Sequence, residues 1–180
     1  MVDIISSLAH PKSSDDFNIL ITRDHSVIEP ADSWAIYKEE LVCVGPPNLV
    51  GRRELSIVRP TPILNITSRP DMLPTWLRAM NLSSSDIRVG ARYDHNYLAL
   101  PAVRTGKCLL VAPEIIVGDL VRGGALQIMP GTRTPSGMQY RAYAVDRSAH
   151  LEIARSFFRW LARLCKSVPF AQVAWGLAAP

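Results

Sequence analysis

The chain has 180 residues, of which 48% are hydrophobic and 20% charged, and its formal net charge is +4 at pH 7. These values are ordinary for a globular protein that forms one domain or two small lobes. No apolar run approaches the roughly 20 residues of a membrane-spanning helix, and the first residues lack the basic start and long apolar centre of a signal peptide. The sequence therefore predicts a cytoplasmic protein with no membrane partner. The Lys and Arg residues are scattered, so the charge alone does not predict a nucleic-acid-binding surface.

The residue types that carry redox, metal or catalytic chemistry form no recognisable pattern. Cys43, Cys108 and Cys165 lie far apart among apolar residues, which predicts buried, reduced thiols. Cys108 follows a lysine and is the one mild candidate for a reactive thiol. The four histidines lack the spacing of metal ligands, and no nucleotide-binding or serine-hydrolase motif is present. We therefore predict no metal, no cofactor and no enzymatic activity.

The first part of the chain predicts two strands and a connection. Residues 18–22 (NILIT) are a compact run of β-forming residues, and residues 34–44 form a longer one. Gly45 and two prolines stop the second strand. Residues 48–62 contain two further prolines and predict a polar connection without regular helix.

Residues 63–66 predict the next short strand, and they are followed by the turn Thr67-Ser68-Arg69-Pro70. Asp71 is a plausible N-cap for a helix. Asn81 can take the left-handed conformation that ends it. Arg69 can pair with an anionic ligand, but a solvated loop arginine is the favoured interpretation. The apolar face of this helix is predicted from Trp76, Leu77 and Met80.

Residues 89–130 predict strand, helix, strand, helix and strand. The first helix has Asp94 or Asn96 as a candidate cap and ends near Gly106, and the second opens at Pro113. Strands that alternate with helices through short connections predict a parallel sheet with helices on its faces.

Ligands of such sheets bind beyond the carboxyl ends of the strands. Thr67 and Ser68 follow one predicted strand, and Tyr93, Asp94 and His95 end the next. These five residues are therefore predicted to line a ligand cleft. The alternatives are ordinary ones: Thr67 and Ser68 as turn formers, and His95 as a solvated surface histidine.

The last part of the chain predicts a hinge, a strand and a long helix. Residues 131–137 read as a flexible polar hinge, residues 139–145 alternate as a strand does, and Ser148 caps the helix. Trp160 is predicted to be a core anchor together with Trp76. The apolar face of the helix is predicted from Leu151, Ala154, Phe157, Phe158, Leu161 and Leu164.

In the order and spacing of these parts, the chain resembles the effector-binding domain of LysR-type transcriptional regulators, particularly the branch of glycine-cleavage and β-lactamase regulators. A looser match covers most of residues 2–165, and the FFRWL run is similar to the family's closing F-x-x-W-L helix. The closest correspondence lies in Arg92-Tyr93, residues 98–104, Thr105-Gly106, residues 109–113, residues 115–121 and Gly124-Ala125-Leu126.

The resemblance implies an α/β fold, a bilobal periplasmic-binding-protein-like (type II) effector-binding domain that is N-terminally truncated. Lobe I would comprise residues 1–47 and 138–168 and would be incomplete, lobe II would comprise residues 48–137, and residues 169–180 would be a tail. Residues 18–24 resemble the family strand D-x-A-I-R-x-G, which enters the cleft, and Thr22 stands where the family has Arg. Thr22 is therefore a further candidate ligand-binding residue.

The resemblance also implies a function. The chain would sense a small organic acid, amino acid or peptide-like effector between its lobes. It would reach DNA only through a missing N-terminal domain, and the full-length form would be a homodimer or homotetramer. Two alternatives stay open: a stand-alone bilobal small-molecule-binding protein, and a non-functional truncated remnant.

Overall fold

The computed structural model describes residues 18–23, 32–51, 55–144 and 151–167. The predicted cap at Ser148 and the predicted tail at residues 169–180 lie outside this part. The described residues form a mixed α/β structure with one seven-stranded sheet and five helices.

The sheet has seven strands: β1 (Ile19–Arg23), β2 (Asp32–Gly45), β3 (Pro62–Ile66), β4 (Arg88–Tyr93), β5 (Leu109–Pro113), β6 (Gln127–Ile128) and β7 (Thr134–Ala144). Their order in the sheet is β1-β7-β2-β5-β3-β4, and β6 pairs with β2. The strands β3, β4 and β5 are parallel to one another, as the alternation of strands and helices predicted. The strands β2 and β7 pair antiparallel with their neighbours.

Four of the five helices lie between strands, and the last follows the sheet. Asn81 has a φ of 54° after the second helix, as predicted for a left-handed end. Pro101 lies inside the third helix. The helices are α1 (Pro47–Val50), α2 (Met72–Ala79), α3 (Asn96–Val103), α4 (Glu114–Arg122) and α5 (Leu151–Ser167).

The described part contains two hydrophobic clusters, and the long strand β2 contributes residues to both. The larger cluster surrounds β5, which is buried along its whole length, and is closed by α2, α3 and α4. The smaller cluster holds Ile36 of β2, Ala142 of β7 and Phe158 of α5. The pairing of β2 with β7 shifts register between Ala35 and Tyr37 and again between Lys38 and Glu40, where the strands pass from one cluster to the other. Two clusters fit the predicted two lobes, but the lobe boundaries stay a prediction.

Two local predictions about the backbone are wrong. The hinge predicted at residues 131–137 is largely strand, because β7 begins at Thr134 and pairs with Leu41 of β2. The connection at residues 48–62 contains the single-turn helix α1, which Pro47 can begin because proline fits the first helical position.

The prediction that Trp160 is a core anchor is also wrong. Trp160 is 55% exposed, whereas Phe158 is fully buried. At about 100° per residue, two positions along a helix carry a side chain to the far side. The face of α5 that packs on the sheet therefore takes Phe158 and leaves Trp160 outside.

Candidate functional site

The carboxyl ends of β3 and β4 lie side by side, with Ile66 opposite Tyr93. The backbone N–H of Thr67 donates to the carbonyl oxygen of Tyr93 over 2.9 Å, and that of Ser68 donates to the carbonyl oxygen of Asp94 over 3.1 Å. The Thr67 hydroxyl donates to Oδ1 of Asp94 over 3.0 Å. The structure thus brings together Thr67, Ser68, Tyr93 and Asp94.

The bond from Thr67 also explains why the predicted caps of α3 are wrong. The residue before the helix is His95, and no side chain caps the first turn. The Asp94 carboxylate accepts from Thr67 on the neighbouring strand instead. The ring of His95 is half-buried and stacks on Tyr97 with centroids 5.3 Å apart.

Thr22, the remaining predicted site residue, lies in β1 opposite Arg141 of β7. It is half-buried, and β1 and β4 lie at opposite ends of the strand order. The charge of its neighbour Arg23 makes a small contribution to the lowered pKa of Asp71. Burial alone would raise the pKa of Asp71, but the hydrogen bond and the charge of Arg69 outweigh burial and lower it.

Arg69, on the loop after β3, is the centre of a polar cluster that the sequence reading missed. Its Nη1 and Nη2 donate to Oε1 and Oε2 of Glu39 over 3.0 and 2.7 Å. Its Nε and Nη2 donate to Oδ1 and Oδ2 of Asp71 over 3.2 and 3.0 Å. The side chain is only 12% exposed, so the favoured interpretation as a solvated loop arginine is wrong. Asp71 stands at the N-cap position of α2, but its carboxylate binds Arg69 instead of capping the helix.

Glu39 connects this loop to the centre of the sheet. The residue is 1% exposed and lies on β2, which passes between the two clusters. The hydroxyl of Tyr140 on β7 donates to Oε1 of Glu39 over 3.4 Å. Burial, with a further contribution from the Glu39 charge, raises the pKa of Tyr140. Glu39, Arg69, Asp71 and Tyr140 are called the Arg69 network below.

The ionic state of the Arg69 network follows from its geometry. Burial alone would lower the pKa of the Arg69 guanidinium, but the hydrogen bonds and charges of Glu39 and Asp71 raise it above its ordinary value. The paired, bidentate contacts are of the kind that stabilise buried charges. An anionic ligand would therefore compete with two carboxylates for this arginine.

A second arginine, Arg133, forms a longer and more exposed contact with the next residue of β2, Glu40. Arg133 donates from Nε and Nη2 to the buried carboxylate of Glu114 over 2.7 and 2.5 Å, and its Nε lies 3.3 Å from Oε2 of Glu40. Tyr37 lies nearby, and burial is the main reason that its pKa rises to about 12. Glu39 and Glu40 thus each bind an arginine beside the register shift in β2. The sequence did carry one signal for these contacts: Glu39 and Glu40 are adjacent within an apolar strand. Side chains of a strand alternate between its two faces, so one of the two carboxylates must point inward and needs a partner.

Metal and thiol chemistry find no support in the described residues. No group of three or more His, Cys, Asp or Glu side chains in this part can hold a metal ion. Cys108 is buried, and burial raises the pKa of its thiol, so its suggested reactivity is wrong. No helix of the same part is both long enough and apolar enough to cross a membrane.

The fold, with two hydrophobic clusters that share the strand β2, is that of a type II periplasmic-binding-protein-like domain, as in the solved structures that resemble it. Residues 12–166 match the model of the LysR substrate binding domain. The chain belongs to this family.

Individual relatives agree with the family assignment. The regulator TrpI of Pseudomonas aeruginosa is 34% identical over 65 residues, a match that covers 36% of this chain and 22% of TrpI. The chain thus matches about a fifth of the length of this curated relative.

Solved structures show the same fold at low sequence identity. The effector domain of AmpR of Pseudomonas aeruginosa has a TM-score of 0.64 and 15% identity, over 83% of this chain and 72% of AmpR. The apo regulatory domain of HypT of Salmonella typhimurium has a TM-score of 0.59 and 17% identity, over 82% and 73% of the two chains. Full-length HypT matches over 83% of this chain and 52% of its own.

Proposed function

We propose that this chain is the effector-binding part of a LysR-type transcriptional regulator, and that its effector binds where β3 and β4 end. The observation that carries the proposal is the meeting of Thr67, Ser68 and Asp94 beside the buried Arg69 network. In open α/β sheets, ligands bind beyond the carboxyl ends of the strands. The Arg69 network joins that edge to β2, which contributes to both hydrophobic clusters, and to β7.

The effector we propose is a small organic acid, amino acid or peptide-like molecule. Asp94 offers an exposed carboxylate, and Thr67 and Ser68 offer hydroxyls, so an amine or amide N–H has acceptors at this edge. Tyr93, His95 and Thr22 would supply the remaining contacts. Ligand binding would favour one arrangement of the two clusters over another, since a ligand shifts a conformational equilibrium by its difference in affinity for the two states.

The partners of the whole regulator are part of the same proposal. DNA would be bound by a separate domain, and the chain itself would act in the cytoplasm without a cofactor or an enzymatic activity. A homodimer or homotetramer is supported by exposed apolar side chains on β4 and α3, where Val89 is 50%, Tyr97 63% and Leu98 48% exposed.

Thermal unfolding with a panel of amino acids, organic acids and short peptides tests the effector site. One ligand class is expected to raise the melting temperature, because a ligand that binds only the folded state stabilises it by mass action. Asp94→Asn should remove most of that shift. Asp119→Asn, on the exposed surface of α4, should keep it.

The proposal is contradicted if every ligand class leaves the melting temperature unchanged. It is also contradicted if Asp94→Asn responds as fully as the unsubstituted protein, since the site would then lie elsewhere.

A further inference from the structure

A groove with a volume of about 400 Å³ lies on lobe-II residues outside the Arg69 network. It is bounded by α2, by the short turn at Ser84–Asp86 and by the ends of β3 and β4. This volume falls within the range of small-molecule pockets, roughly 300 to 1,000 Å³. The groove is lined by Asn65, Ile66, Thr67, Pro70, Leu73, Pro74, Leu77, Ser84, Ile87, Val89 and Arg92.

The register of the sheet explains how an apolar wall and a cation come to share one groove. Ile63 of β3 pairs with Val89 of β4, and Asn65 of β3 pairs with Arg92 of β4. Between these two pairs β3 has one residue and β4 has two, so β4 contains a one-residue bulge. An extra residue in one strand reverses the alternation of its side chains. Val89 and Arg92, three positions apart, therefore both line the groove. Gly90 lies within the irregular stretch, where a Cβ would approach Ile63 O to 3.3 Å.

The charge of the groove is unbalanced. Its lining contains one cation, Arg92, and no Asp or Glu. In the described part of the chain Arg92 is exposed and forms no ion pair, whereas Arg69 and Arg133 are each held by two carboxylates. Of these three arginines, Arg92 is thus the one free to bind an added anion.

We infer that this groove is a second ligand site, adjacent to the proposed effector site and sharing Thr67 with it, for a small anion with an apolar body. The carboxylate of a branched aliphatic or aryl-substituted acid would bind Arg92, with the Asn65 amide beside it, on the side away from Thr67, whose hydroxyl already donates to Asp94. Its apolar part would lie against Leu73, Leu77 and Ile87. Apolar walls with a few oriented polar groups are the usual composition of such sites.

Phenylacetate, with phenylacetamide as its uncharged isostere, tests the inference by titration of the methyl-labelled protein in NMR. Phenylacetate at millimolar concentration should shift the methyl signals of Leu73, Leu77, Ile87 and Val89. Arg92→Gln should weaken binding about tenfold or more, as expected for loss of a charged hydrogen bond. Phenylacetamide should bind the unsubstituted protein as weakly as phenylacetate binds that variant.

Arg88→Gln is the matched control, because Arg88 is an exposed arginine of the same strand that does not line the groove. It should change the affinity less than about twofold, as surface charges distant from a ligand do. Leu73→Ala should weaken phenylacetate without altering its preference over phenylacetamide.

Three results would each overturn the inference. They are the absence of methyl shifts at millimolar phenylacetate, equal weakening by Arg88→Gln and Arg92→Gln, and shifts confined to the residues around Asp94. The first two results leave the effector site untouched, because its test depends on Asp94, whereas the third would place the added acid at the effector site.

Discussion

Arg69 shows how far a single residue can depart from the environment that its local sequence favours. It follows a short strand in a turn with Ser and Pro, a context typical of solvated loops, yet it is held by two carboxylates. One of its partners, Glu39, lies 30 residues earlier in the chain. Such a partner cannot be inferred from neighbouring residues, because only the folded sheet brings β2 beside the end of β3.

Arg69→Met is expected to lower the free energy of unfolding by about 3 to 5 kcal/mol, the typical cost of leaving a buried charge without its partner. The measurement is urea denaturation followed by circular dichroism. Arg78→Met is the control, because Arg78 is exposed on α2, and its change should stay within about 0.5 kcal/mol.

Adding Glu39→Gln to Arg69→Met should recover part of the lost stability, since the unpaired carboxylate is then removed as well. Strictly additive losses in the double variant would mean that the two side chains do not depend on each other for stability.

At the scale of elements, periodicity predicted the members of the sheet well and their ends less well. The middle strand predicted within residues 89–130 is β5, and its burial along the whole length agrees with its short, continuous apolar sequence. The start of β7 was missed, because Pro135 and Gly137 indicate a loop, whereas pairing with β2 extends the strand through them. Trp76 of α2 and Trp160 of α5 were both predicted to be core anchors. Trp76 lies on the packed face of its helix and is buried, whereas Trp160 lies on the outer face of its helix and is exposed.

Trp76 joins α2 to the segment before β7, because its Nε1 donates to the carbonyl oxygen of Thr132 over 2.9 Å inside the core. Trp76→Phe should therefore lower the free energy of unfolding by about 1 to 3 kcal/mol, as an acceptor is left unpaired in the core. Trp160→Phe, on the exposed face of α5, should change it by less than about 0.5 kcal/mol. Urea denaturation compares the two. An equal loss from both substitutions would contradict the different burial of these rings.

At the scale of the molecule, the sequence predicted the fold class and the family correctly. The order and spacing of strands, helices and turns match the family pattern even at positions where the residue types differ from it. The sequence also predicted the meeting of Thr67 with Asp94, since parallel strands end at one edge. It did not predict the Arg69 network or the groove beside Arg92. Both depend on register shifts, in β2 and in β4, that no local pattern of residue types reveals.

Acid is expected to destabilise the molecule. Hydrogen bonds and the charge of Arg69 hold the pKa of Asp71 below its ordinary value, and the backbone and side chain of Ser83 do the same for Asp86. A carboxylate with a lowered folded pKa stabilises the protein above its unfolded pKa, and this contribution is lost as pH falls through the folded value. The free energy of unfolding should therefore fall below about pH 4.

Denaturant titrations from neutral to acidic pH measure this dependence. The double variant Asp71→Asn, Asp86→Asn should be less stable at neutral pH and should lose less stability on acidification. An unchanged slope in the variant would assign the acid response to other groups.

The strand β2 serves both hydrophobic clusters, with Ile36 in one and Leu41–Val44 in the other. A segment shared in this way cannot be divided between two autonomous pieces, because each would keep only half of a continuous hydrogen-bonded ladder. Evolution can therefore vary the loops and surfaces of such a domain independently, but it must inherit or lose the two clusters together.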